Sequence, residues 1–149
     1  GEVPEGHFTL PVGKAHVERV GAPGGLTLIG YSRGLQIALQ AAERLAKDFS
    51  LEAEVINLLC LQPLDTETLV ASFQKTNRVL VVEDDWVTYG IGAEIAARLQ
   101  EEAFDFLDAP VLRVGLAEAP MPYAANLERE AWPSVDKIIA ALKAARIIG

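Results

Sequence analysis

The chain has 149 residues, half of them hydrophobic, and 13 Lys and Arg against 21 Asp and Glu give it a net charge of −8 at pH 7. That length predicts one domain able to bury ~70% of its unfolded surface without staples, and the charge opposes nucleic-acid phosphate and anionic membrane. A single cysteine, Cys60, and two histidines, His7 and His16, exclude an internal disulfide framework and a cysteine/histidine zinc site.

No apolar run approaches the ~18 residues that cross a bilayer, and the first residues do not read as a secretory signal. A soluble chain in a reducing compartment is expected. The first residue is Gly1 rather than methionine, which predicts a processed chain or an excised domain.

Gly1 to Val12 carries two prolines and two glycines before any periodic pattern, so residues 1–14 are expected to form an extended linker arm and residues 15–149 a single domain. Ala15 to Val20 predicts a short edge strand, and the glycines from Gly21 to Gly25 turn the chain. Leu26 to Tyr31 reads as a strand. Ser32 follows as the expected helix N-cap, with Leu35, Ala38, Leu39, Ala42, Leu45 and Ala46 at the three- and four-residue spacing of a buried stripe. Leu51 to Leu59 is the next strand, broken by Pro63. Asp65 caps a helix predicted over Thr66 to Lys75, with Leu64 and Leu69 placed as a hydrophobic staple.

Arg78 to Glu83 is a valine-rich run of the kind covered on both faces, leading into three carboxylates, Glu83, Asp84 and Asp85, expected in a loop. From Gly90 the period changes: Ile91, Ile95 and Leu99 fall four apart on one helical stripe. Ala109 to Leu116 predicts a further strand, followed by a proline-punctuated loop through Pro120 and Pro122. In the last helix Ser134 is the cap, Asp136 lies in the first turn, and Lys143 and Arg146 fall near the end; Val135, Ile138, Ile139 and Leu142 are buried. Strands alternating with helices predict an α/β fold with a largely parallel sheet between helices and right-handed crossovers. The loops after Gly30, Leu59 and Glu83, at the C-terminal strand ends, are where a ligand would be sought.

Three motifs carry competing readings. Gly30-Tyr31-Ser32-Arg33-Gly34 is a literal GxSxG between strand and helix, the context of a hydrolase nucleophile elbow. A base would have to come from His7 or His16, which precede the serine, the reverse of that fold's order; the competing role for Ser32 is the cap. Gly90-Ile91-Gly92 is half of a dinucleotide fingerprint with Ile95 at the third glycine's place, and the carboxylates just upstream oppose a pyrophosphate. Its alternative is close approach of helix and sheet. Glu83, Asp84 and Asp85 offer oxygens to a divalent cation or simply face solvent. Trp86, Tyr89 and Trp132 are core or rim residues, or interface anchors if exposed.

Leu10-Pro-Val-Gly-Lys-Ala15, Val55-Ile-Asn-Leu58, Pro63-Leu-Asp-Thr-Glu67, Val81-Val-Glu83, Gly90-Ile-Gly-Ala-Glu-Ile95, Phe104-Asp-Phe-Leu-Asp-Ala-Pro-Val111, Pro120-Met-Pro-Tyr123 and Pro133-Ser-Val-Asp-Lys-Ile138 run in order along the chain. With these stretches the sequence resembles the C-terminal domain of the beta subunit of the thiamine-dependent pyruvate dehydrogenase component, within the wider transketolase C-terminal domain fold. The resemblance implies a three-layer α/β/α sandwich on a mostly parallel five-stranded sheet whose first strand is antiparallel. Thiamine diphosphate and magnesium belong, in that family, between the alpha subunit and the beta subunit's N-terminal domain. No catalytic, cofactor-binding or metal-binding residue is therefore assigned here, and the chain by itself is expected to be inactive.

The resemblance also implies an assembly role. The expected partners are the alpha subunit, a second beta subunit and the small basic subunit-binding domain of the dihydrolipoyl acyltransferase, with Asp108 and the carboxylate of Gly149 as partner-binding groups. The parent reaction would be oxidative decarboxylation of pyruvate with acylation of lipoyl groups, in bacterial cytoplasm or mitochondrial matrix. The branched-chain 2-oxo-acid and acetoin dehydrogenases are alternatives within the class; a free-standing nucleotide-binding module and a serine hydrolase using Ser32 are alternatives outside it. Asp85 and Val87 flank Trp86 where many relatives have glycine and proline. The competing role for Asp108 is to end a helix before Pro110.

Overall fold

The computed structural model describes residues 5–149; Gly1 to Pro4, the start of the segment expected to form a linker arm, lie outside the described residues. Five strands, β1 (His16–Arg19), β2 (Leu26–Gly30), β3 (Ala53–Asn57), β4 (Val79–Trp86) and β5 (Leu112–Leu116), form one sheet in the order β1-β3-β2-β4-β5. β1 pairs antiparallel with β3, and every other pairing is parallel. The helices are α1 (Ser32–Phe49), α2 (Thr66–Thr76), α3 (Ile91–Ala103), α4 (Ala125–Ala131) and α5 (Val135–Ala144).

The three layers follow from strand alternation, which sends successive side chains to opposite faces. Leu26, Leu28, Val55, Leu80 and Val82 point to one face and meet Ala38, Ala42 and Leu45 of α1 and Ile138 and Leu142 of α5. Ile29, Ile56, Val79 and Val81 point to the other and meet Leu69 and Phe73 of α2 and Ile95 and Leu99 of α3. Both faces are covered, which is why β2 and the first half of β4 are buried without alternation. The expected sandwich and the antiparallel first strand are both present.

Local differences have local causes. Ser32 is not the cap of α1: Tyr31 holds the cap position in extended conformation with no side-chain cap bond, and Ser32 has φ 51°. The carboxylates are not in a loop, because β4 continues through Trp86. The segment before α5, read as irregular, folds its Ala-Asn-Leu-Glu-Arg-Glu-Ala run into the short α4, whose end is tied back by Ala117 N–H donating to Ala131 O at 2.9 Å. Arg146 lies beyond α5 with φ 58°. Asp65 and Ser134 cap α2 and α5 as their positions predict, accepting from Thr68 N–H and Lys137 N–H, both at 3.3 Å.

Candidate functional site

β2 and β4 are neighbours, yet α1 leaves β2 over one face and α3 leaves β4 over the other, so the chain diverges at their C-terminal ends, the usual position of a ligand crevice. Glu83 decides what that crevice holds. Strand alternation puts it on the face of Val79 and Val81, beneath the start of α3, where it is fully buried. Between the pairs Val82↔Val114 and Trp86↔Leu116, β4 advances four residues while β5 advances two. This bulge holds Glu83, Asp84 and Asp85 and turns them three ways. Glu83 goes inward, Asp84 is half-buried, and Asp85 is exposed with Oδ1 accepting from Trp86 N–H at 2.7 Å.

The Glu83 carboxyl group explains Gly92 and, with the Trp86 carbonyl oxygen that a Cβ would also meet, Gly90. Oε2 accepts from Gly92 N–H at 2.9 Å, at the N-terminus of α3. A Cβ at position 90 would stand 2.5 Å from Oε2, and one at position 92 would stand 2.6 Å from Oε1. Gly115 on β5 makes room from the other side, since its Cβ would meet the Asp85 carbonyl oxygen at 2.5 Å. The half-fingerprint therefore seats an internal carboxyl group at the position where a nucleotide phosphate would sit. This is closer to the packing reading of Gly90 and Gly92 than to the dinucleotide one.

Burial pushes the Glu83 pKa above the ordinary carboxylate range; the Gly92 amide and the Arg113 guanidinium pull it back in part, and Asp85 adds to the rise. Oε1 is buried with no hydrogen-bond partner, which suits a carboxyl group that resists ionising. A raised carboxyl pKa means the native state holds its proton longer than the unfolded state. This contribution is complete below the unfolded pKa and is lost as pH rises through the folded one. Glu83→Gln keeps an acceptor for Gly92 N–H and cannot ionise. Urea unfolding from about pH 4 to about pH 8 is expected to show stability of wild type relative to Glu83→Gln falling as pH rises. A constant difference across that range would refute the assignment.

Tyr31 faces the same end of the sheet, its hydroxyl pKa pushed up to about 12 by burial and then by the charges of Glu83, Asp84 and Asp85. Ser32 is exposed, in a turn where Gly34 packs so closely on β4 that a Cβ there would lie 2.5 Å from Val82 O. The backbone of a nucleophile elbow is thus present without its base. His16 pairs with Asn57 of β3, which in turn pairs with Gly30 of β2, so the imidazole-bearing strand lies roughly 10 Å away across two strand spacings. His16 Nδ1 is 3.4 Å from Glu18 Oε1. Trp132 is half-buried with the Arg33 guanidinium 4.0 Å above its ring. Among the described residues no group of three or more His, Cys, Asp or Glu side chains is placed to hold a metal ion.

Asp108 and Gly149 lie at the opposite end of the sheet, where the parallel strands begin. Asp108 is exposed, and its N–H donates to Asn77 O at 3.1 Å, two residues before β4. Asn77 Nδ2 in turn donates to Phe106 O at 2.9 Å. Only a 3-10 turn, Phe104–Phe106, separates α3 from Leu107, so Asp108 follows a helix end as its simpler reading predicted. Gly149 is exposed beyond Ile147 and Ile148, which pack on the α1/α5 side, whereas Leu107 packs on the α2/α3 side. The two groups thus share an end of the sheet and sit on opposite faces of it. Sequence reasoning missed Glu83 as a buried group and Arg113 as its neighbour. Continuing the face alternation from Val79 and Val81 would have found the first.

The five-stranded sheet with its antiparallel first strand defines a domain of the transketolase C-terminal type. Residues 13–138 match the family "Transketolase, C-terminal domain", and the chain belongs to it. It is 50% identical over 144 residues, 97% of its length, to the protein named pyruvate dehydrogenase E1 component subunit beta-2, mitochondrial, of Oryza sativa subsp. japonica. It is 47% identical over 137 residues to the human subunit beta of the same name, covering 91% of this chain and 37% of that one. The chain spans 38% of the rice protein, well under half of these relatives. Among solved structures, a split-gene transketolase described as an inactive β4 tetramer superposes with TM-score 0.80 at 26% identity, over 99% of this chain and 46% of that one. A 2-oxoglutarate:ferredoxin oxidoreductase from Magnetococcus marinus, at 14% identity and TM-score 0.59 over 89% of this chain and 19% of that one, shares the fold.

Proposed function

We propose that the chain is the C-terminal assembly domain of the beta subunit of a pyruvate dehydrogenase decarboxylating component, joining beta subunits and presenting a surface to the acyltransferase core. The observation that carries this reading is sequence identity near one half over nearly the whole chain to proteins named as such beta subunits. The parent enzyme would decarboxylate pyruvate oxidatively and acylate lipoyl groups, and the branched-chain and acetoin enzymes remain alternatives within the class. These relatives are named mitochondrial, which favours the matrix over a bacterial cytoplasm.

Thiamine diphosphate and magnesium do not fit this chain's own residues. The Glu83 carboxyl group fills the N-terminus of α3, Asp84 and Asp85 add negative charge beside it, and no metal cluster forms among the described residues. The cofactors are assigned to parts of the parent enzyme outside this chain, and the domain alone is inactive in this reading. The alpha subunit and a second beta subunit are its proposed partners.

For docking, Asp108 and the Gly149 carboxylate face the basic subunit-binding domain of the acyltransferase. Both are exposed at one end of the sheet, and a net charge of −8 steers a basic partner. A carboxylate takes paired hydrogen bonds from arginine, and truncating such a pair once it is desolvated costs about 2–5 kcal/mol. Binding of the subunit-binding domain is expected to weaken in Asp108→Ala and in a chain extended beyond Gly149, and to weaken with salt. Equal affinity for all three chains without salt dependence would sink the docking assignment.

A further inference from the structure

The other end of the sheet carries a surface that docking at Asp108 does not use. Trp86 is 47% exposed, and Tyr89 is fully exposed on a backbone held at φ 62°. Across from them, Pro120, Met121 and Tyr123 are exposed on the loop after β5. A cleft of about 300 Å³ runs between the two loops, lined by Trp86, Thr88, Tyr89, Glu118, Ala119 and Pro120. A tyrosine with positive φ is uncommon, and large exposed aromatics gathered on one rim mark interaction sites.

The surface is held in place. Thr88 Oγ1 donates to Glu118 Oε1, tying one loop to the other. Arg113 Nη1 donates to Val87 O at 2.7 Å from beneath, and Glu83 anchors the start of α3 behind it. A pre-formed surface loses little freedom on binding. Its charge is one-sided: Glu118 lines the cleft and Asp84 and Asp85 immediately precede Trp86, whereas Arg113 is half-buried beneath it and Arg33 is stacked on Trp132. The Tyr31 hydroxyl pKa, raised by burial and then by Glu83, Asp84 and Asp85, reports the negative field at the β4 side of this surface.

We propose that the cleft between the end of β4 with the turn after it (Trp86 to Tyr89) and the Glu118–Tyr123 loop docks a segment of a partner subunit in which an arginine or lysine stands among apolar residues. Trp86 and Tyr89 take the apolar part and offer a ring face to the cation, and Asp84, Asp85 and Glu118 neutralise it. The proposal rests on the assembly reading, but on the end of the sheet opposite Asp108.

The test uses the full parent beta chain produced with its partner subunits, carrying Tyr89→benzoylphenylalanine as a photo-crosslinker. Position 89 is fully exposed, so the fold tolerates the change. The expected product joins residue 89 to a Lys- or Arg-bearing apolar segment of a different polypeptide. Its yield should fall several-fold in Asp84→Asn/Asp85→Asn and fall further as salt is raised. A link to a second copy of this chain, a link to an acidic or uncharged segment, a yield indifferent to both treatments, or no link within an intact assembly would each overturn the proposal. A chain recovered with no partner subunit overturns the assembly reading along with it. Crosslinking that persists in Asp108→Ala, where subunit-binding-domain docking is lost, separates the two surfaces.

Discussion

Asp65→Ala is expected to lower unfolding free energy by about 3 kcal/mol, because it removes a buried polar group. The carboxylate is only 5% exposed and serves two elements at once. Oδ1 accepts from Thr68 N–H at 3.3 Å, capping α2, and Oδ2 accepts from Thr68 Oγ1 at 2.7 Å and from Ala15 N–H at 2.9 Å, where the chain enters β1. Removing it costs a cap, about 1 kcal/mol, and leaves two further donors short of an acceptor at about 1 kcal/mol or more each. Lys14, 3.6 Å away and half exposed, adds little. Burial alone would raise this carboxyl pKa, but the bonds from Ala15 and Thr68 and the Lys14 charge outweigh it and hold the pKa below its ordinary value. The contribution is therefore present above the unfolded pKa and lost as pH falls through the folded one. Chemical denaturation at neutral and acid pH measures this: the gap between wild type and variant should be widest at neutral pH and shrink on acidification. Asp65→Asn should fall between the two, since its amide oxygen still accepts in place of one carboxylate oxygen while its amide nitrogen, a donor, cannot accept in place of the other.

Gly34→Ala is expected to cost about as much, roughly 3 kcal/mol, through overpacking alone. The added Cβ would stand 2.5 Å from Val82 O, a backbone atom of a central strand paired on both sides, so relief requires the whole first turn of α1 to lift from the sheet. For a chain of this size the loss corresponds to a fall in Tm of roughly 6–12 °C. Ala38→Gly, further along the same buried stripe, is the control: it should cost about 1 kcal/mol by helix propensity with a further small packing loss. If Gly34→Ala unfolds within a degree or two of wild type, the tight α1–β4 contact is not real.

Much of this was legible in the sequence because periodicity and burial agree there. The central strands and the stripe of α1 read correctly, since a strand covered on both faces has few residue types open to it. Position 41 was missed only because alanine is ambiguous between stripe and flank. The misreadings cluster where a local rule met a tertiary demand. Ser32 is a good cap by type, but the sharp exit from β2 puts it at positive φ and gives the cap position to Tyr31. The run Glu83 to Asp85 looks solvated by composition, yet strand alternation carries Glu83 inside before the bulge against β5 turns Asp85 outward. Asp108 and Gly149 could be named only through family resemblance, because an exposed carboxylate carries no mark of its partner in its own spacing.

The seat around Glu83 restricts which sequences can share this fold. Gly92 and one long acid occupy a single volume, whereas Gly90 and Gly115 are also held by the backbone oxygens of Trp86 and Asp85, so 83 and 92 are the pair that cannot drift alone. A methyl group at 92 becomes admissible only if the side chain at 83 shortens, and a shortened residue there strands the Gly92 amide unless a polar group enters from elsewhere. The expected evolutionary record is substitution in concert: chains that abandon glycine at 92 should have abandoned the glutamate too, while glycine at 90 and 115 should outlast it. A directed-evolution library randomised at 83 and 92 together should return folded members in linked combinations rather than independent ones.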